Sequence, residues 1–147
     1  MENQKVVADA SVIAKWFLDE ELSDRARLLR DSFVREQLTI SVPSLLFYET
    51  LNVLRYTDLY DSDELASAAR SLSKYGFDVW EPRGRLHEET AKTSLRYDIS
   101  IYDASYVALA FRLHATLYTA DEELARKAPD CARHIGEIDP RSRTGRL

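Results

Sequence analysis

Two rhythms of apolar residues alternate along this chain: short β-branched runs, and longer stripes spaced by three and four. The run KVVAD (5–9) is apolar and bounded by charge, which predicts a buried strand. Over 10–18 the positions Val12, Ile13, Trp16 and Phe17 recur at helical spacing. LSDRARLLRDSFVREQ (22–37) carries an inner stripe of Leu22, Ala26, Leu29 and Phe33, with Ser23 or Asp24 opening the helix. LTISVP (38–43) predicts a second strand, and Pro43 sits where a first helical residue often does. Helices are predicted over 44–57 and 61–74. GFDVWEP (76–82) alternates as a third strand until Pro82 stops it. Residues 84–96 read as helical. IYDASYVALAFRL (101–113) is nearly all apolar and predicts a helix buried on most sides. ATLYTA (115–120) predicts a fourth strand, DEELARKA (121–128) a short helix and RHIGEI (133–138) a last strand. DPRSRTGRL (139–147) reads as a loose tail.

Strands and helices therefore alternate from end to end. That pattern implies an α/β fold, a parallel sheet covered by helices on both faces. A chain of 147 residues, 45% hydrophobic, suits one domain over 1–138 with a flexible tail over 139–147. No apolar run is long enough to span a membrane and no secretory signal is visible, so no membrane association is expected. Cys131 is alone, which rules out an intrachain disulfide and suits a reducing cytoplasm. A net charge of −5 argues against nucleic-acid binding by bulk electrostatics. An acidic protein can still bind RNA where divalent metals and a local Lys/Arg rim offset its site. With four glycines and no phosphate-loop motif, a nucleotide cradle is not expected.

In parallel sheets, ligands gather at the carboxyl ends of the strands. Asp9 and Asp121 directly follow the first and fourth predicted strands, so both belong on that edge. Asp103 lies at the start of the apolar helix, on the same side. Glu49 shares a stripe with Leu45, Leu46, Val53 and Tyr56, and a carboxylate on an inward stripe needs a partner. Each acid taken singly has an ordinary explanation. Asp9 can cap the first helix, S-I-Y-D (100–103) fits a capping box, and in T-A-D-E (119–122) Thr119 can be the cap with Glu122 returning the bond. Glu49 can pair with an arginine. Ordinary explanations do not predict convergence. Four carboxylates in one cleft repel, by roughly 4 kcal/mol for two charges about 4 Å apart at an effective dielectric near 20. Protons or divalent cations must offset that, and an oxygen-only donor set selects Mg²⁺ or Mn²⁺. Carboxylate-held Mg²⁺ suits phosphodiester hydrolysis, in which the metal activates a water and stabilises charge on the phosphate. His87, His114 and His134 lack zinc-site spacing, and no serine or cysteine nucleophile is signalled.

These stretches resemble a known family. VVADASVIAKWFLDEE, YETLNVLR, YDASYVALA and LYTADEELARKA are similar, in order and over about residues 5–136, to the PIN-domain ribonucleases, and most to the VapC-type toxins of toxin–antitoxin pairs. The family's four acids match Asp9, Glu49, Asp103 and Asp121, and its following hydroxyl matches Ser11. The resemblance implies a three-layer α/β/α sandwich with a short central sheet, Mg²⁺- or Mn²⁺-dependent endoribonuclease activity, homodimerisation and a small antitoxin partner. It leaves the target RNA open.

Around the acids, Ser11, Asn52 and Thr119 are candidate supporting residues that would orient water or ligand oxygens. Capping and ordinary helix polarity explain them equally well. Lys15, Arg55, Arg96 and Arg112 are candidate RNA contacts, with a solvated or salt-bridging role as the alternative for each. The tail adds Arg141, Arg143 and Arg146. Trp16, Phe17, Tyr48 and Trp80 read as core or interface. A catalytically inactive RNA- or protein-binding module on the same fold is the competing function. An aspartyl-nucleophile phosphatase would want Asp-x-Asp where this chain has Asp9-Ala10-Ser11, and an integrin-like metal site would want serine at Ile13.

Overall fold

The computed structural model describes residues 3–141. Five strands form one parallel sheet: β1 (Gln4–Ala8), β2 (Leu38–Pro43), β3 (Asp78–Trp80), β4 (Thr116–Thr119) and β5 (Ala132–His134). Their order across the sheet is β3-β2-β1-β4-β5. The helices are α1 (Ala10–Ile13), α2 (Ser23–Val34), α3 (Leu46–Arg55), α4 (Ser62–Lys74), α5 (Gly84–Tyr97), α6 (Ile101–Leu113) and α7 (Glu122–Lys127).

β1 is the central strand. Val6, Val7 and Ala8 are consecutive and all fully buried. Successive side chains of a strand point to opposite faces, so burial of all three means that helices cover both faces. The expected three-layer α/β/α arrangement is what the chain adopts. α6 lies against β1, β2 and β4, and Ala104, Val107, Ala108, Leu109 and Ala110 supply its buried side. It is less enclosed than its composition suggests, because Ile101 and Tyr102 are more than half exposed. Trp16, Phe33, Tyr75 and Phe77 pack as an aromatic cluster, with Phe33 stacked on Phe77 at 5.4 Å. The Trp16 indole donates to the carbonyl of Ala26 at 2.9 Å, pinning the segment after β1 to α2.

Several boundaries differ from expectation. The helix predicted over 10–18 is one turn of α1 followed by a 3-10 turn, Ala14–Trp16. α2 spans Ser23–Val34 rather than 22–37, because Leu22 and Glu36 adopt left-handed backbone angles on either side of it. β3 is only three residues of the predicted seven. It is an edge strand paired with the last half of β2 through Ser41, Val42 and Pro43. The last predicted strand, 133–138, is β5 followed by a 3-10 turn over Ile135–Glu137. There the His134 ring accepts from the Gly136 amide and turns the chain away from the sheet. α5 and α6 end without glycine, at Asp98 and His114, both left-handed. Of the tail, Arg141 pairs with Asp139 at 3.3 Å. Arg143 and Arg146 lie outside the described residues.

Candidate active site

The sheet order positions the site. From β1 the chain runs outward through β2 and β3, then returns to place β4 on the other side of β1. In open α/β sheets that reversal leaves a crevice at the carboxyl ends of the two inner strands. Ala8 is level with Tyr118, and the Asp9 amide donates to the Tyr118 carbonyl at 3.3 Å. Asp9 therefore lies beside Thr119, and Asp121 follows two residues later. The cleft there, about 240 Å³, is lined by Asp9, Ser11, Glu49, Asn52, Asp103, Tyr106 and Asp121, with Ala10 and Val53. All four predicted acids meet in it.

Each acid is held by local chemistry. Asp9 is buried, and its Oδ1 accepts from the Ser11 hydroxyl at 2.5 Å and the Val12 amide at 3.3 Å. It caps α1 and faces the cleft at once, so the two readings of this residue do not compete. Ser11 also accepts from the Ala120 amide at 2.8 Å, which ties the start of α1 to the end of β4. Thr119, fully buried, accepts from the Asp121 amide at 3.0 Å. Asp121 is itself the cap of α7, its Oδ1 accepting from the amides of Glu123 and Leu124 at 2.9 and 3.2 Å. The expected Thr119 cap with Glu122 returning the bond is not the arrangement adopted. Extended backbone at Asp121 puts its own carboxylate over the first turn. Ser100 caps α6 by accepting from the Asp103 amide at 3.0 Å.

Glu49 corrects the stripe predicted for its helix. The buried face of α3 is Leu46, Thr50 and Leu54, whereas Val53 is 40% and Tyr56 72% exposed. Glu49 sits between these faces, half-buried, at the cleft wall. Its partner is not an arginine. The Tyr106 hydroxyl on α6 donates to Glu49 Oε1 at 2.7 Å. Tyr106 is the residue of this cleft that sequence reasoning missed. The available signal was a tyrosine one turn after Asp103 on a helix expected to be buried on most sides, since a buried phenol needs a hydrogen-bond partner.

Burial dominates the electrostatics. It pushes the Asp9 carboxyl up from its ordinary 3.8 to about 6, against the hydrogen bonds from Ser11, Thr119 and Val12, and the Asp103 charge adds to the rise. Burial also raises Glu49, with the Tyr106 hydrogen bond opposing and Asp103 reinforcing. Asp103 is raised by burial and then by the Asp121 charge. Three acids thus resist ionisation together, which is the state a bound cation would relieve. Among the described residues, no three carboxylate, imidazole or thiol groups already enclose a point that could hold an ion. The donor chemistry nevertheless fits a hard cation. The set is oxygen only. In Glu49 and Asp121 the hydrogen bonds described fall on one carboxylate oxygen each, and in Asp9 those from Ser11 and Val12 share Oδ1. Asp103 is half-buried and Asp121 exposed, at the mouth of the cleft.

The predicted RNA contacts do not gather at the acids. Lys15 is committed elsewhere, to the Glu20 carboxylate at 2.9 Å and the Glu21 carbonyl at 2.8 Å, with its side chain 13% exposed. Arg55 is exposed, 3.8 Å from Asp58, and lines a larger groove of about 670 Å³ beside Glu49 and Asn52, together with Tyr48 and Tyr102. Tyr48 is 82% exposed, not core. Arg96 and Arg112 line a different groove, between α5 and α6.

The arrangement matches a known family. The family model of the PIN domain covers residues 6–129. The chain belongs to the PIN domain family. Among PIN relatives, it is 29% identical to ribonuclease VapC3 of Pyrobaculum aerophilum over 130 residues, 85% of this chain and 95% of that protein. It is 41% identical to ribonuclease VapC1 of Mycobacterium tuberculosis over 88 residues, 58% of this chain and 65% of that one. Of solved PIN-fold structures, the P. aerophilum protein PAE2754 superposes with a TM-score of 0.64 at 27% identity, covering 92% of this chain and 93% of that one. VapC20 of M. tuberculosis, described as a toxin that cleaves the sarcin–ricin loop, shares the fold with a TM-score of 0.65 at 20% identity, over 82% of this chain and 93% of its own.

Proposed function

We propose that this PIN domain is a metal-dependent endoribonuclease, the toxin of a toxin–antitoxin pair, acting in the cytoplasm. One observation carries the reading: four carboxylates from separate stretches of the chain line a single cleft at the reversal of the sheet. Nothing about packing requires that convergence, and three of the carboxyls are raised, first by burial and then by a neighbouring carboxylate, which a bound cation would offset. The ribonuclease names of the VapC relatives point to RNA as the substrate.

The geometry supports the following roles. Asp9, Glu49, Asp103 and Asp121 would hold Mg²⁺ or Mn²⁺. When bound, such an ion supplies Lewis acidity toward a phosphoryl oxygen and makes water acidic enough to attack near neutral pH. Ser11 holds the Asp9 carboxylate and the Ala120 amide, and Thr119 holds the Asp121 amide, so the two hydroxyls would support the acids at the ends of β1 and β4. Asn52, exposed at the cleft wall one turn after Glu49, is placed to hydrogen-bond a phosphate or a water. Arg55, at the rim of the adjoining groove, is the cation best placed to meet the RNA backbone. Lys15 is assigned no such role.

The groove beside Glu49 supports a protein partner. It is lined by Leu45, Leu51, Leu65, Tyr48 and Tyr102, and nearby Tyr56 and Ile101 are exposed. Large apolar side chains left uncovered in this way mark interaction surfaces. Solved structures that share the fold at 13% identity include VapBC-1 of nontypeable Haemophilus influenzae and FitAB bound to a DNA fragment. We assign the groove to a small antitoxin, with a homodimer as the working assembly.

Incubation of the purified protein with structured and single-stranded RNA tests the reading. Cleavage is expected with Mn²⁺ or Mg²⁺ and is lost in EDTA. Asp103→Asn is expected to reduce the rate by at least about a hundredfold, the order of loss when a group that stabilises transition-state charge is removed. RNA binding without cleavage under every metal condition would instead identify a non-catalytic binding module.

A further inference from the structure

We propose that Tyr106 is a positioning residue that confines Glu49 to contact through one oxygen, and so sets which divalent cation the site accepts. This rests on the reading that the four acids hold a cation. Tyr106 sits on α6 three residues after Asp103 and is 1% exposed. Its hydroxyl donates to Glu49 Oε1 at 2.7 Å, across the interface between α6 and α3. An ionised Glu49 offers only acceptor oxygens and the phenol has a proton to give, so the bond has one direction: Tyr106 donates and Glu49 accepts.

The same pattern recurs around the cleft by different means. In Asp121 the amides of Glu123 and Leu124 both fall on Oδ1. In Asp9 the Ser11 hydroxyl and the Val12 amide both fall on Oδ1. At those two acids a backbone amide helps to occupy the inner oxygen, and almost any residue would supply it. At Glu49 the restriction hangs on one side-chain hydroxyl. Cations differ in what they ask of a carboxylate. Mg²⁺ takes single oxygens at about 2.0–2.1 Å in near-octahedral geometry, whereas Ca²⁺ takes six to eight oxygens at about 2.3–2.6 Å and readily uses both oxygens of one carboxylate. A Glu49 with one oxygen already engaged meets the first demand and frustrates the second. Removing the hydroxyl frees both oxygens and loosens the side chain.

The test is calorimetric titration of cation-free protein with Mn²⁺ and, separately, with Ca²⁺. Tyr106→Phe keeps the ring and its packing. It is expected to weaken Mn²⁺ binding by about tenfold, within the range for loss of a group that orients a ligand, and to leave Ca²⁺ binding unchanged or tighter. The preference for Mn²⁺ over Ca²⁺ then narrows by about tenfold or more. Tyr106→Met, which also lacks the hydroxyl, is expected to narrow it in the same way and serves if the phenylalanine variant does not fold. In a Glu49→Gln background, Tyr106→Phe is expected to change neither affinity, because its effect passes through the carboxylate. A preference within twofold of wild type in the folded hydroxyl-less variants, or an equal shift in the Glu49→Gln background, overturns the role of Tyr106. Failure of the wild-type protein to bind Mn²⁺ at all overturns instead the reading of the acids on which it rests.

Discussion

Asp9 carries two duties on one carboxylate: it caps α1 through Oδ1 and faces the other acids from a buried position. Burial makes the pH dependence of stability specific. Its folded pKa, about 6, lies above its ordinary 3.8. Between those values the native state holds a proton that the unfolded chain has released. Stability of the cation-free protein should therefore fall as pH rises from about 4 to about 6, and the loss should persist above that. Asp9→Asn removes the titration while keeping an acceptor for Val12. In EDTA, the stability advantage of Asp9→Asn over wild type is expected to grow across that window, by about 3 kcal/mol at most, and then to level off. Urea titrations at several pH values measure it, and a difference that stays flat would show that Asp9 does not titrate in the window. At this scale the acids were legible, because strand ends and helix starts can be read from short patterns. Tyr106 was not. Its role depends on which helix face meets Glu49, and a single chain of letters does not show that.

Among the elements, α3 is the most instructive. Its apolar residues occur on more than one side of the helix, so periodicity alone permitted the stripe through Glu49 and Val53. Packing against α4 and the 3-10 turn after α1 chose Leu46, Thr50 and Leu54 instead. Leu54→Ala is expected to cost roughly 2–5 kcal/mol, as buried leucines do. Val53→Ala, at the exposed cleft wall, should stay within about 0.5 kcal/mol of wild type. Thermal or urea unfolding separates the two, and equal losses would restore the sequence-derived face. α4 opens with a capping box in which Asp61 and Glu64 bond reciprocally, so Asp61→Ala should cost about 1 kcal/mol while leaving nuclease activity intact. The third and last predicted strands are shortened for different reasons: Gly76 has positive φ just before β3, and the His134 ring turns the chain into a 3-10 turn after β5.

For the whole molecule, the acids are a standing electrostatic cost that a cation should convert into stability. Mn²⁺ at a hundred times its dissociation constant should raise the unfolding free energy by about 2.7 kcal/mol. Scanning calorimetry with and without the ion measures this, and Asp103→Asn should show much less of the gain. No helix among the described residues is long and apolar enough to cross a membrane. The exposed Tyr48, Tyr56, Ile101 and Tyr102 instead predict association with protein. Light scattering should find the isolated chain larger than a monomer, and a monomer at every concentration would overturn the homodimer.

The sequence by itself determined the α/β class, the parallel sheet and the places of Asp9, Asp103 and Asp121. Each follows from local rules: run length, helical spacing, and an acid directly after a strand or at a helix start; Glu49 was reached through a stripe that is not the buried one. Tertiary structure decided what depends on neighbours distant in the chain. It set the strand order that brings β4 beside β1, the face of α3 that turns inward, the release of Lys15 from any part in the cleft, and the phenol that holds Glu49. The physical reason is that backbone patterning is written within a few residues. A carboxylate's burial, its hydrogen-bond donor and its charged neighbours come from distant segments, Thr119 and Asp103 in the case of Asp9, and the fold alone brings them together.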